Sequence, residues 1–136
     1  GSGKEDAKLI SDAMLKNAAT AMLETQPETF DVALESFVAE EEIGPVGAEM
    51  RRGLSVTLPS GARALTETIE DVKVEKVESS GDGVNVLARW TATVSGGHWG
   101  HLHRRKIHYR GLMDLEEMNR VWKLRGLTIL SARPAA

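Results

Sequence analysis

The chain has 136 residues, 41% of them hydrophobic and 27% charged, and a net charge of −3. That is enough for one domain with its own core. The absence of cysteine excludes disulfides, thiolate metal sites and cysteine nucleophiles, and the overall acidity argues against a nucleic-acid partner.

No apolar run approaches the roughly 18 residues needed to cross a bilayer as a helix. Gly1-Ser2-Gly3 reads as a cloning scar, which leaves open a signal or membrane tether upstream. The charge is uneven. Residues 1–45 hold three Lys against ten acids, and residues 95–136 hold eight Lys and Arg against three acids. An acidic helical layer facing a basic strand layer is one arrangement that fits.

In chain order, Ile10, Ala13, Met14, Ala18, Ala21 and Met22 form one apolar stripe and predict a first helix over about 5–24. Pro27 suits the first turn of a second helix, with Phe30, Ala33, Leu34, Phe37 and Val38 inward. Glu40–Glu42 reads as a solvated helix end stopped by Gly44-Pro45. A third, shorter helix is expected over 46–58, with Val46, Met50 and Leu54 inward, and Pro59-Ser60-Gly61 makes a turn. Met14, Met22 and Met50 read as core gap-fillers.

From Ala62 onward the period becomes two. Ile69, Val72, Val74 and Val77 mark a strand, and Ser79-Ser80-Gly81-Asp82-Gly83 a turn. Strands are expected over 84–95, about 98–112 and 121–130, with a polar loop over 114–120. Helices followed by consecutive antiparallel strands describe a single α+β domain over 4–132, with 133–136 as a tail.

The densest chemistry lies between His98 and Tyr109, which hold all four histidines and the only tyrosine. A two-residue turn at Gly96-Gly97 would pair Ala92 with His101, Trp90 with His103 and Ala88 with Arg105. Side-chain alternation then puts His101, His103, Arg105 and Tyr109 with Trp90 on the core face. His98 and His108 go to the wet face, with Arg104 and Lys106. Buried polar groups need partners or a cavity, so Trp90, His101, His103, Arg105 and Tyr109 are the candidates for lining a ligand pocket between helices and sheet.

Several readings of these residues stay open. One is a structural network, with His103 against Trp90 and Arg105 paired to a helix carboxylate. Another is a metal site built on His101 and His103, with a helix acid such as Asp31 or Glu35 as third ligand. A third is acid–base chemistry between those histidines and the same acids. No hydrolase elbow, phosphate loop or dinucleotide fingerprint is present, so no catalytic residue and no cofactor are assigned. Trp99 and Trp122 read as core residues. Leu87 and Leu102 on the wet face fit a homodimer through the sheet.

Two segments also carry a family resemblance. One is Met14-Leu15-Lys16-Asn17 with its continuation through Phe30 and Asp31 to Ser36. The other runs from Arg89-Trp90 through His98-Trp99-Gly100-His101-Leu102-His103-Arg104 and Tyr109 to Val121-Trp122-Lys123-Leu124. Together, over about residues 12–131, they resemble little-characterised bacterial domains of the nuclear-transport-factor-like (cystatin-like, α+β cone) superfamily. The chain departs from that pattern at Ala18-Ala19-Thr20 and Ser131-Ala132-Arg133. The resemblance implies a strongly curved antiparallel sheet wrapped on N-terminal helices, with a pocket between them. It also implies an extracytoplasmic, membrane-associated location. The expected role is a non-catalytic accessory or sensing module that binds a small ligand or a protein partner.

Overall fold

A computed structural model describes residues 2–98 and 100–136, with the side chains of Ser2 and His98 outside the described set. The domain is α+β. Three helices, α1 (Ser2–Ala21), α2 (Pro27–Glu35) and α3 (Ile43–Gly53), precede five strands. These are β1 (Val56–Thr57), β2 (Arg63–Ser80), β3 (Gly83–His98), β4 (His101–Met118) and β5 (Val121–Pro134), joined in one antiparallel sheet of order β1-β2-β3-β4-β5.

The helices follow from their stripes. α1 buries Ala7, Met14, Leu15, Ala18 and Ala21, with Met22 just after it, while Ala13 of the expected stripe is exposed. α2 starts with Pro27 in its first turn, where a missing N–H costs nothing. It ends at Glu35, earlier than expected. Gly44-Pro45 does not stop a helix; it opens α3, where Pro45 again sits in a first turn. Glu40–Glu42 forms a short 3₁₀ turn between the two. Phe37–Ala39 becomes a strap on β5. Val38 bridges Leu124 in parallel, Leu124 N–H donates to Phe37 O (2.7 Å) and Ala39 N–H donates to Leu124 O (2.9 Å).

The sheet's inner face alternates as a half-buried strand should. Val86, Ala88, Trp90, Ala92 and Val94 of β3 and Ile107, Tyr109, Met113 and Leu115 of β4 join the helix stripes in one core. Register shifts interrupt β2 against β3 around Glu67, Asp71 and Glu75, and β4 against β5 around Leu130 and Arg125. Asp71 has φ 54°, so the chain kinks there.

The 81–82 turn stands as expected, with Ser80 paired to Gly83. The other two hairpins differ. Gly96 and Gly97 do not turn; they pair with His103 and Leu102, and the ladder continues to His98 against His101. A Cβ on Gly96 would lie 2.5 Å from Leu58 Cδ1, so this glycine makes room for a side chain crossing the sheet. The expected 114–120 loop is strand almost throughout. Its turn is Asn119-Arg120, whose φ values of 52° and 67° suit a tight two-residue hairpin. β5 runs on through Arg133 and Pro134, so half of the expected tail is strand.

β5 borders the sheet, and α3 occupies part of its outer edge. Glu49 Oε2 accepts the Ile129 N–H (2.7 Å), and Arg52 Nη2 donates to Ile129 O (3.0 Å). Glu49 and Arg52 are themselves ion-paired. This pair satisfies the backbone groups of a strand residue with no sixth strand beside it. Arg52's hydrogen bond, helped by the Ile129 N–H, holds the Glu49 carboxyl below the usual carboxylate range, although burial opposes them. A depressed folded pKa contributes stability above the unfolded value of about 4.3 and loses it as pH falls through the folded value. Urea unfolding between pH 5 and 2.5 is therefore expected to lose stability less steeply in Glu49→Gln, which keeps an acceptor but does not titrate. Identical slopes for the two proteins would refute this role.

Candidate functional site

The five pocket candidates separate into two places. Trp90 and Tyr109 are paired across β3 and β4 and buried to 2% and 3% exposure. Their rings stack at 5.6 Å between centroids with an interplanar angle of 17°. Leu15 of α1, Met22 just after it, Leu54 and Ile69 close over them, leaving a space of about 20 Å³. That volume holds one water at most. Burial pushes the Tyr109 phenol up to about 12.

His101, His103 and Arg105 are exposed, contrary to the expectation that they point into the core. Their face is the expected one. The turn lies three residues further along the chain than Gly96-Gly97, so each partner moves six positions and the alternation is unchanged. The shift instead slides these residues past the helices: Trp90 meets Tyr109 and not His103, and Arg105 meets Val94. The His101 and His103 rings lie 6.4 Å apart at 44°. The Trp99 expectation and the His98 wet-face expectation fall outside the described residues and side chains.

The outer face of the sheet is a set of crossed charge pairs. Arg104 Nε donates to Glu67 (3.0 Å), Lys106 pairs with Glu70 (3.3 Å) and Arg110 Nε donates to Glu75 (3.0 Å). Basic positions on β4 thus face acidic ones on β2 across β3. His108 joins this face through Nδ1, 2.9 Å from Thr91 Oγ1. Arg104 and Ser95 hold the Glu67 carboxyl below its usual range. Exposed pairs of this kind contribute little to stability, because water screens them; they satisfy one another.

A more open concavity lies elsewhere. A cleft of about 610 Å³ opens between the Glu35–Ile43 segment and the β4–β5 turn, lined by Val38, Ile43, Met118 and Val121 beside Glu35, Glu40 and Glu41. Met118 and Val121 are 38% and 50% exposed. Lys123 closes one wall. Its Nζ donates to the carbonyls of Glu35 (3.2 Å) and Ser36 (3.1 Å), where a cation suits the end of α2. Arg125 Nη1 donates to Glu116 (2.8 Å) and Glu41 (3.0 Å), binding the 3₁₀ turn to the sheet.

The sequence reading missed this cleft because its walls came from segments taken as a solvated helix end and a loop. The one available signal was Asn119-Arg120 between Met118 and Val121, a turn pair flanked by apolar residues. Among residues with described side chains, no three His, Asp or Glu groups converge to hold a metal ion. Among these residues, neither His101 nor His103 has a carboxylate partner to orient it, as general-base chemistry would need. Among the described residues, no helix is long and apolar enough to cross a membrane.

Comparison with protein-family models, curated proteins and solved structures finds no match to this chain.

Because Tyr109 is the only tyrosine, its ionisation can be read directly. Phenolate absorbance in the native protein is expected near pH 12, against about 10 in urea. Its raised folded value means that stability falls between those two pH values. A native titration centred at 10 would show that the ring is not enclosed.

Proposed function

We propose that this is a non-catalytic accessory or sensing module that binds a protein partner through its surface. The observation that carries this reading is the contrast between a filled interior, about 20 Å³ beside Trp90 and Tyr109, and an open cleft of about 610 Å³ outside. An enzyme pocket or small-ligand site between helices and sheet would need space at Trp90 that side chains already occupy. The cleft's apolar floor and acidic rim match a segment with an apolar anchor flanked by Lys or Arg.

On the residues that carry the resemblance, the proposal places this α+β domain with the nuclear-transport-factor-like, α+β cone superfamily. With that placement goes the proposal of an extracytoplasmic module tethered to a membrane by a segment outside this chain. Selection from a displayed peptide library tests the binding reading. Enriched peptides should pair apolar and basic residues and bind Val121→Lys at least about tenfold more weakly. The substitution is at an exposed position and should leave folding within about 0.5 kcal/mol. No enrichment, or equal binding to Val121→Lys, would reject the cleft as the docking surface.

A homodimer through the outer sheet face is a second part of the proposal. Leu102 and Leu112 stand 58% and 41% exposed among the charge pairs of that face. Light scattering at high concentration should give twice the 14.8 kDa chain mass, shifting to the monomer in Leu112→Glu. A monomer in the parent chain removes the dimer.

A further inference from the structure

A second hollow, of about 230 Å³, forms where the α1–α2 connection, the end of α3 and the start of β2 meet. Met22 and Phe30, both buried, give it an apolar wall, and two arginines face each other's charge across it. The Arg51 guanidinium lies over the Phe30 ring, 4.3 Å from its centroid. Stacking occupies the flat face of the guanidinium and leaves its N–H edge free. Arg63 Nη2 donates to the Met22 carbonyl (2.9 Å), which holds the side chain in place and uses only part of its donor set. Neither arginine has a carboxylate partner among the described residues, whereas Arg52, Arg89, Arg104, Arg110 and Arg125 all do. Glu24 lines the same hollow but ion-pairs with neither of them.

We propose that this hollow binds a phosphate group, free or as a small monoester, between Arg51 and Arg63. The donor set selects the ligand class. A guanidinium presents parallel N–H bonds in a planar fork that matches the oxygens of an oxyanion. Two guanidinium groups bring two positive charges, which suit a phosphate dianion better than a carboxylate. The hydroxyls of Ser55 and Thr25 line the same space and offer donors to the remaining oxygens. The volume is below the roughly 300–1,000 Å³ of pockets for drug-sized molecules, so the space suits a phosphate with a short substituent and excludes a whole nucleotide.

Both arginines are held by partners that leave their charge uncompensated, a stacked ring for Arg51 and a neutral carbonyl for Arg63. An anion between them would relieve that repulsion and join the α1–α2 connection to α3 and β2. Glu24 opposes the anion, so its charge lowers the affinity and favours release. The hollow shares no lining residue with the cleft beside the β4–β5 turn.

Titration of the isotope-labelled chain with inorganic phosphate, followed by backbone amide shifts at constant ionic strength and slightly alkaline pH, tests it. Saturable shifts are expected at Thr25 and Ser55, with a dissociation constant in the low-millimolar range or tighter. Arg51→Gln and Arg63→Gln should each weaken binding by at least about fivefold, since each removes one charged fork. Glu24→Gln should bind at least as tightly as the parent. Arg105→Gln, which removes an exposed arginine of β4 that does not line the hollow, should bind as the parent does. Acetate should bind at least about fivefold more weakly than phosphate. Tighter binding of glycerol phosphate than of inorganic phosphate assigns the hollow to a monoester, and equal or weaker binding assigns it to the free anion. Thermal unfolding without phosphate checks that each variant is folded; where Arg63→Gln is not, Arg51→Gln decides. Shifts that never saturate overturn the proposal. So does weakening by Arg105→Gln equal to that of Arg51→Gln, undiminished binding by folded Arg51→Gln, or weaker binding by Glu24→Gln. None of these outcomes bears on the cleft.

Discussion

The inner surface of the sheet is arranged around one large side chain, Trp90. Its ring lies on Tyr109 of the next strand and over Gly111, where a Cβ would come within 2.9 Å of Trp90 Cη2. Ala88 and Ala92 on either side are fully buried and small. An indole of about 200 Å² gains most when it is enclosed on all sides, and the small residues around it let the helices come down onto it. α1 contributes Leu15, the turn after it Met22, and Leu54 after α3 completes the lid. Shifting the β3–β4 register would put this ring against a side chain that cannot yield the same space. The Trp90–Gly111 fit thereby specifies the pairing of the two longest-paired strands, and with it the position of every polar group on the hairpin.

That specification decides where open space and exposed polar groups remain. Filling the centre with aromatic and aliphatic groups removes the enclosed site that this kind of layering could otherwise contain. The open and polar features lie at the periphery, in a half-apolar cleft beside the β4–β5 turn and in the exposed His101 and His103 at the opposite end of β4. The two lie on different parts of the surface and draw on different residues.

Much of the architecture was legible in the sequence. The 3.6-residue stripes of α1 and α2, Pro27 in a first turn, and the Gly81-Asp82 hairpin all carry their causes locally. What was misread has non-local causes. Gly96 is small because Leu58, nearly forty residues earlier, crosses over it. Asp114 and Glu116 make a strand look like a loop until Arg125 is seen pairing with Glu116 from β5. Gly44-Pro45 signals a helix boundary equally well from either side, and only packing decides that it opens α3. For the candidate site, alternation alone gave the correct face of His101, His103 and Arg105. Their depth depended on the turn position, which two adjacent glycines disguised.

The treatment of the sheet's borders has a consequence for how the protein survives at high concentration. Unpaired strand backbone invites another chain to add a strand, the first step toward fibrous assembly. On one border the Glu49–Arg52 pair and the Phe37–Ala39 strap occupy backbone groups of β5. On the other, β1 covers only Arg63 and Ala64 of β2. The rest of β2 is broken by three irregularities and interleaved with Glu67, Asp71, Lys73, Glu75 and Lys76. A neighbour could neither align with that bent edge nor approach without meeting charge of both signs, so the open sheet is shielded from runaway self-association.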